Sequence, residues 1–172
     1  MKNLFKQFKL VLLAIACMLA AAFAPAVHAQ AIGDFGENQI VDTIFRAQAT
    51  TLGANLFVGL STSACSDASV GTEITGGSYA RVSIARSLAN WAGTQGAGTA
   101  VASTGTGGQT SNNIAINFVT PTLSWGLVTH AFVADALTGN NLLFCQALTV
   151  SKTINSGDTV SFPAGALTFT VQ

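Results

Sequence analysis

One histidine, His130, is the first residue of this sequence that could do chemistry. It lies in the stretch WGLVTHAFVADALTGNNLLFCQAL at 125–148 and is the sole histidine after residue 30. A catalytic histidine needs a nucleophile or an orienting acid, and a zinc site needs several ligands. The sequence contains no Gly-x-Ser-x-Gly nucleophile elbow that could supply a serine partner. We therefore interpret His130 as a structural residue of a β-hairpin, with a hydrolase that uses His130 as the rival hypothesis.

The seven acidic residues form no pattern of a metal site or a glycosidase. Calcium loops place several Asp ligands close together, and glycosidases use a pair of carboxylates. Here Asp42 falls on a predicted helix, while Asp135 and Asp158 fall in turns, where Asp is favoured for backbone reasons. The Gly-rich stretch at 105–108 lacks the Lys of a phosphate-binding loop. The sequence predicts no catalytic residue, no metal and no cofactor.

Two tryptophans, Trp91 and Trp125, are the candidate residues of a binding surface. Both fall beside predicted loops, and a pair of indoles could stack against sugar rings. The commoner position of a large aromatic is at the edge of the core, and we favour that interpretation. The alternative, an extracellular module that binds glycans or a cell-surface receptor, stays open.

The first 29 residues are typical of a secretory signal peptide. Lys2, Lys6 and Lys9 precede an uncharged apolar run of 15 residues at 10–24, and small residues before Gln30 provide a cleavage site. The run is shorter than the ~20 residues that a membrane-spanning helix needs. We predict cleavage after Ala29, export to the periplasm, cell surface or medium, and no stable membrane anchor. A lipoprotein acylated at Cys17 is a weaker alternative.

Two cysteines, Cys65 and Cys145, remain after this cleavage. Export places them in an oxidising compartment, where a disulfide between them is favoured. The alternative is two buried free thiols, because cysteine is among the most buried residue types.

Charge is sparse in the segment 30–172. Removal of the signal peptide leaves four basic residues against seven acidic ones, a net charge of −3. Nucleic-acid binding depends on many Lys and Arg side chains that neutralise phosphates, so we predict no nucleic-acid partner. A surface with few charges has little repulsion to oppose self-association, which favours a homo-oligomer.

The hydrophobic pattern predicts one mainly β domain over 30–172. A short helix at 36–46 has an apolar stripe that must pack on something, because so short a helix is not stable alone. Period-two segments follow at 55–60, 79–84, 113–119, 127–134, 141–148, 159–162 and 166–171. Within 79–84, alternation places Tyr79, Arg81 and Ser83 on one face. Short strands with regular turn signals indicate a β-sandwich, here of jelly-roll type.

The segment 93–113 consists almost wholly of Gly, Thr, Ser, Ala, Gln and Asn. Such a composition cannot bury much apolar surface, so we predict a long loop there. A loop of this length in a compact domain is often functional, and a tolerated surface insertion is the alternative.

Several blocks of the sequence resemble a family of small tailed-bacteriophage proteins, the tail fibre or virion structural proteins. The blocks are GENQIVDTIFR near residue 40, GTEITGGSYARVSI at 71–84 and the region from WGLVTHAF at 125 to residue 171. The resemblance implies a compact β-sandwich that serves as a building block of a particle or fibre, without catalytic residues. The signal peptide and the two cysteines depart from that family and favour an exported relative.

Taken together, the residues predict an exported, non-enzymatic structural protein that assembles into a filament, surface layer or particle.

Overall fold

The computed structural model describes residues 32–139 and 141–171. Within these ranges the chain forms one helix, α1, and eight strands: α1 Asp34–Phe45, β1 Asn55–Ser61, β2 Val82–Ala85, β3 Gln109–Ser111, β4 Ile116–Asn117, β5 Gly126–Ala134, β6 Leu142–Ile154, β7 Ser161–Phe162 and β8 Thr168–Thr170. The predicted mainly β class with one short N-terminal helix is confirmed. The predicted signal peptide, residues 1–29, lies outside the described residues.

The helix α1 begins where the electrostatics favour it. Asp34 and Glu37 lie in its first turn, next to the partial positive charge of the helix N-terminus. Its first turn packs closely on Ile32 and on the sheet, because a Cβ added at Gly36 would lie 2.7 Å from the Ile32 side chain and 3.3 Å from the main-chain oxygen of Leu143. The glycine therefore leaves room for the Ile32 side chain between α1 and β6.

Four strands form one antiparallel sheet in the order β2-β1-β5-β6. In the centre, Val58 of β1 lies opposite Val133 of β5, and Leu60 lies opposite Ala131. All four of these residues are buried. The period-two pattern of β1 and β5 thus predicted the two central strands correctly, because both carry their apolar residues into the core.

Two short ladders, β3–β8 and β4–β7, complete the sheets of the described residues. Their buried residues Ile116 and Phe169 share the main core cluster with Val58 and Leu60 of β1. These ladders pair only two or three residues each, since turns such as Pro163–Ala166 interrupt them. Instead of the second continuous sheet of the predicted jelly-roll-like sandwich, the structure shows two separate ladders.

The strand β6 forms one edge of the four-stranded sheet. At its beginning the edge is covered, because Ile32 bridges Phe144 and the N–H of Gly33 donates to the main-chain oxygen of Leu143 at 3.0 Å. Further along, the register with β5 shifts between Val128 and His130. The shift leaves residues 148–151 without a ladder partner on β5, and this part of β6 faces solvent.

The sequence predicts a loop over the segment 93–113, but the loop ends at residue 108 and a strand follows. Strand β3 at Gln109–Ser111 pairs with β8, and Ser111 and Asn112 are buried. Residues 93–108 contain no strand or helix. The paired end of the segment therefore belongs to the packed domain.

Candidate functional site

A disulfide joins Cys65 and Cys145, with their Cα atoms 6.2 Å apart. Cys145 lies on β6 opposite Phe132 of β5, and Cys65 lies in the connection that follows β1. Both cysteines pack against a small buried cluster that includes Phe132 and Val70. The bond therefore ties the β1–β2 connection to the sheet, and the predicted pairing is confirmed.

The two tryptophans do not form a shared platform. Trp125 is only 5% exposed, and its Nε1 donates to the main-chain oxygen of Gly77 at 3.0 Å. Its ring meets Tyr79 edge to face at 5.2 Å. Trp125 is thus part of the core, and its buried ring leaves little surface for a sugar, while a binding role of the tryptophan pair stays a prediction. Trp91 is half-buried and bridges Asn112, beside the segment 93–108.

His130 lies on β5, where it pairs with Ser61 on one side and Ala147 on the other. Its Nδ1 lies 2.8 Å from the hydroxyl oxygen of Thr129. Partial burial lowers the pKa of His130, which favours the neutral ring. The site contains no carboxylate bonded to the imidazole, and the structure describes no group of three His, Cys, Asp or Glu residues that could hold a metal in 32–139 and 141–171.

The strongest polar cluster is built around Arg81, which the sequence did not single out as a site. Its Nε and Nη2 donate to the two carboxylate oxygens of Glu73 at 2.8 and 2.7 Å. Nη1 and Nη2 also donate to the main-chain oxygens of Ala136 and Gly139 at 2.8 and 2.7 Å. The guanidinium lies 5.0 Å from the ring centre of Phe132. Arg81 therefore fixes the β5–β6 turn to the β1–β2 connection.

Of the predicted common face of Tyr79, Arg81 and Ser83, the first two residues both bond to Glu73, whereas Ser83 does not share their buried environment. Strand β2 starts only at Val82, so period-two alternation does not apply to Arg81. Arg81 is only 5% exposed, whereas Ser83 is exposed. The local signal for this site is the Gly76-Gly77 turn, in which both glycines have positive φ and redirect the chain before Tyr79 and Arg81.

Tyr79 extends this cluster into the core. Its hydroxyl donates to Glu73 at 3.1 Å and accepts the N–H of Leu60 at 2.8 Å. Burial, and then the charge of the Glu73 carboxylate, raise the pKa of Tyr79 well above its usual range. The hydroxyl therefore stays protonated and serves as a structural donor.

A second network, centred on the buried Asn112, orders the C-terminal turn. The side-chain amide donates to the main-chain oxygens of Ile114 and Pro163 at 2.7 and 2.8 Å, and its oxygen accepts the N–H of Leu167 at 2.9 Å. Three bonds from one side chain satisfy a buried amide, as burial requires. Low-complexity composition around Asn112 gave no sign of this role.

The helix α1 exposes an apolar surface that we call the α1 stripe: Val41, Ile44 and Phe45, which are 46%, 68% and 79% exposed. The predicted stripe also included Ile40, which is half-buried, so within 32–139 and 141–171 the expectation that the stripe packs on something is met only in part. Helix geometry places Glu37, Val41 and Phe45 on one face, four residues apart. The stripe thus ends in two large side chains that project into solvent.

An open cleft lies between β6 and the segment 158–167, and we call it the β6 cleft. Its volume is about 430 Å³. Buried core residues Leu60, Val128 and Leu167 form part of its lining, and Lys152 and Asp158 also line it. The cleft lies where residues 148–151 of β6 are not paired with β5. The cleft is mixed in polarity and carries one basic and one acidic side chain.

None of the helical structure in the described ranges has the length and apolar character that crossing a bilayer requires.

Comparison with known proteins assigns the family. A family model described as "Podophage GP4 fiber I protein gp80" matches residues 31–170. No curated protein matches the chain. Because the family model covers most of the chain, the protein belongs to this family of podophage fibre proteins, and the resemblance found in the sequence is confirmed.

Proposed function

We propose that this podophage fibre protein is an exported, non-enzymatic structural subunit whose copies associate through the α1 stripe. Family membership implies a virion structural fibre protein. The observation that carries self-association is the exposure of Ile44 and Phe45, at 68% and 79%. Burying such a side chain contributes about 1.5–3 kcal/mol, so a helix that leaves two of them in water gains stability from a partner.

The charges of the described surface are consistent with association. Arg81 is buried in its pair with Glu73, and Arg46 pairs with Asp42 on α1. Residues 32–139 and 141–171 carry only eleven charged side chains, so the surface provides little long-range repulsion between copies. Self-association is therefore limited mainly by contact geometry.

The proposed location is outside the cytoplasm, on the cell surface, in the periplasm or in the medium. The composition of residues 1–29 and the Cys65–Cys145 bond support export. Mass spectrometry of the native chain after cell fractionation tests this location. A chain that begins at Gln30 in an exported fraction is the expected result, and a cytoplasmic chain that retains Met1 contradicts it.

Self-association is tested by analytical ultracentrifugation and negative-stain microscopy of the purified exported chain over a wide concentration range. The wild type is expected to form oligomers, and Phe45→Asp is expected to shift it to monomer because a charge cannot be buried without a partner. Thr43→Asp is the matched control, since Thr43 is an exposed residue of the same helix outside the stripe. A wild type that stays monomeric at high concentration refutes the proposal.

A second proposed function, binding to a glycan or cell-surface receptor, is supported only by Trp91. Its ring is half-buried at the start of the segment 93–108, so part of the indole stays accessible. Loss of glycan-array or cell binding in Trp91→Ala, with no loss in Trp125→Phe, is the expected result. Equal binding by wild type and Trp91→Ala contradicts this function.

A further inference from the structure

We propose that the α1 stripe of one copy inserts into the β6 cleft of a second copy. This inference rests on the proposed self-association and names the surface that receives the stripe. In the structure the chain's own stripe does not fill the chain's own cleft, because Ile44 and Phe45 are exposed and α1 starts from the opposite, covered half of β6. The occupant is therefore a second copy.

The sizes of the two surfaces agree. The α1 stripe ends in Ile44 and Phe45, which are consecutive in sequence and both mostly exposed. The β6 cleft has a volume of about 430 Å³, and the buried residues Leu60, Val128 and Leu167 contribute to its lining. This volume lies within the ~300–1,000 Å³ of cavities that take small organic groups. The cleft thus has room for an aromatic and an aliphatic side chain on a lining of mixed polarity.

Charge complementarity supports the same pairing. Glu37 lies on the same face of α1 as Val41 and Phe45, because the three residues are spaced four apart. Arg46 directly follows Phe45 in the sequence. The cleft lining carries one residue of each opposite sign, Lys152 and Asp158. Within the described parts of the chain, neither Glu37 nor Lys152 has an ion-pair partner. Glu37 is therefore available to pair with Lys152 of a second copy, whereas Arg46 already pairs with Asp42.

A stripe on one surface and a cleft on another make a head-to-tail contact. Such heterologous contacts leave one stripe and one cleft open at the ends of every short oligomer, so assembly continues until a ring closes or a filament grows. A contact between two α1 helices would instead consume both stripes and stop at a dimer. The two arrangements differ in which variants can still associate.

The test is a complementation experiment with two blocked variants of the exported chain. Phe45→Asp removes the stripe and keeps the cleft. Ser161→Trp keeps the stripe and fills the cleft, because Ser161 is an exposed strand residue in the cleft lining. Each variant alone is expected to be monomeric by analytical ultracentrifugation, and an equal mixture is expected to form a one-to-one heterodimer that grows no further.

The controls separate this inference from the proposed function. Ala89→Trp adds the same ring at an exposed position outside the cleft lining and is expected to assemble like wild type. Circular dichroism and thermal melting verify the fold, and Ala166→Trp is a second cleft-filling variant if Ser161→Trp does not fold. Assembly of a folded cleft-filled variant on its own overturns the cleft contact while self-association stands. Failure of the mixture to form heterodimers also overturns it.

An exchange of charges between the two surfaces tests the contact independently. Lys152→Glu is expected to weaken assembly at least tenfold at low salt, and Glu37→Lys in the same chain is expected to restore it. Loss in Lys152→Glu without restoration by Glu37→Lys contradicts the contact between these two surfaces.

Discussion

Arg81 is expected to be the polar residue whose loss most destabilises the domain. Arg81→Ala removes four charge-assisted hydrogen bonds from a side chain that is 2% exposed. It leaves the Glu73 carboxylate, 23% exposed, without its ion-pair partner. Removing one partner of a buried ion pair costs about 3–5 kcal/mol. The Ala136 and Gly139 carbonyls lie in a surface turn that water can reach, so we add no further cost for them.

The expected loss in unfolding free energy is therefore about 3–5 kcal/mol for Arg81→Ala. Arg81→Lys is expected to recover less than half of it, because an ammonium group cannot donate to both carboxylate oxygens and both turn carbonyls in this fork geometry. In Arg81→Ala with Glu73→Ala, the loss is expected to be smaller than the sum of the single losses, since the unpaired carboxylate is gone.

Urea denaturation followed by tryptophan fluorescence measures these differences, because the buried Trp125 packs against Tyr79 of the same cluster. The matched control is Arg86→Ala, whose guanidinium donates to two main-chain oxygens at an exposed site. We expect a loss of about 1 kcal/mol there. If Arg81→Ala costs no more than Arg86→Ala, or if Arg81→Lys is as stable as wild type, our account of the cluster is refuted.

Two further perturbations probe the disulfide and the buried hydroxyl. Cys65→Ala with Cys145→Ala is expected to lower the unfolding free energy by up to about 4.5 kcal/mol, because the bond spans 80 residues of sequence; an unchanged urea midpoint contradicts this. The raised pKa of Tyr79, the chain's one tyrosine, means that stability is fully present below about pH 10 and is lost as pH rises through the folded pKa. Ultraviolet absorbance of tyrosinate in folded and urea-unfolded chains checks this directly, with Tyr79→Phe as the control, and coincident titration curves would disprove it.

The sequence predicted those parts of the fold in which local pattern and tertiary position agree. Strands β1 and β5 are rich in apolar residues, so Val58 and Val133 could be placed in the core from sequence. Residues 58–61 and 131–134 are all buried, so both faces of these strands are covered there. Cys65 and Cys145 could be paired because the predicted signal peptide contains Cys17, the third cysteine, and the other two allow one bond. In both cases few alternatives existed, and the physical constraint was strong.

Other parts depend on contacts between distant segments and were not predictable locally. Asn112 lies in a polar low-complexity segment, yet it is buried because Pro163 and Leu167, more than 50 positions away, satisfy its amide. Arg81 is buried because Glu73 and the β5–β6 turn compensate its charge. Asn and Arg side chains are usually exposed to solvent. Here they are buried because specific partners satisfy their polar groups.

The α1 stripe lacks part of the packing that its apolar pattern requires. A 12-residue helix is marginal alone, and its pattern of apolar residues requires a partner. The first turn finds one in β6, but the last turn leaves Ile44 and Phe45 in water. On the same chain, β6 loses its register and opens a cleft of about 430 Å³. In the proposed assembly, the stripe of one copy occupies the cleft of the next. A head-to-tail contact that does not close into a ring continues from copy to copy, so the proposed contact would build a filament.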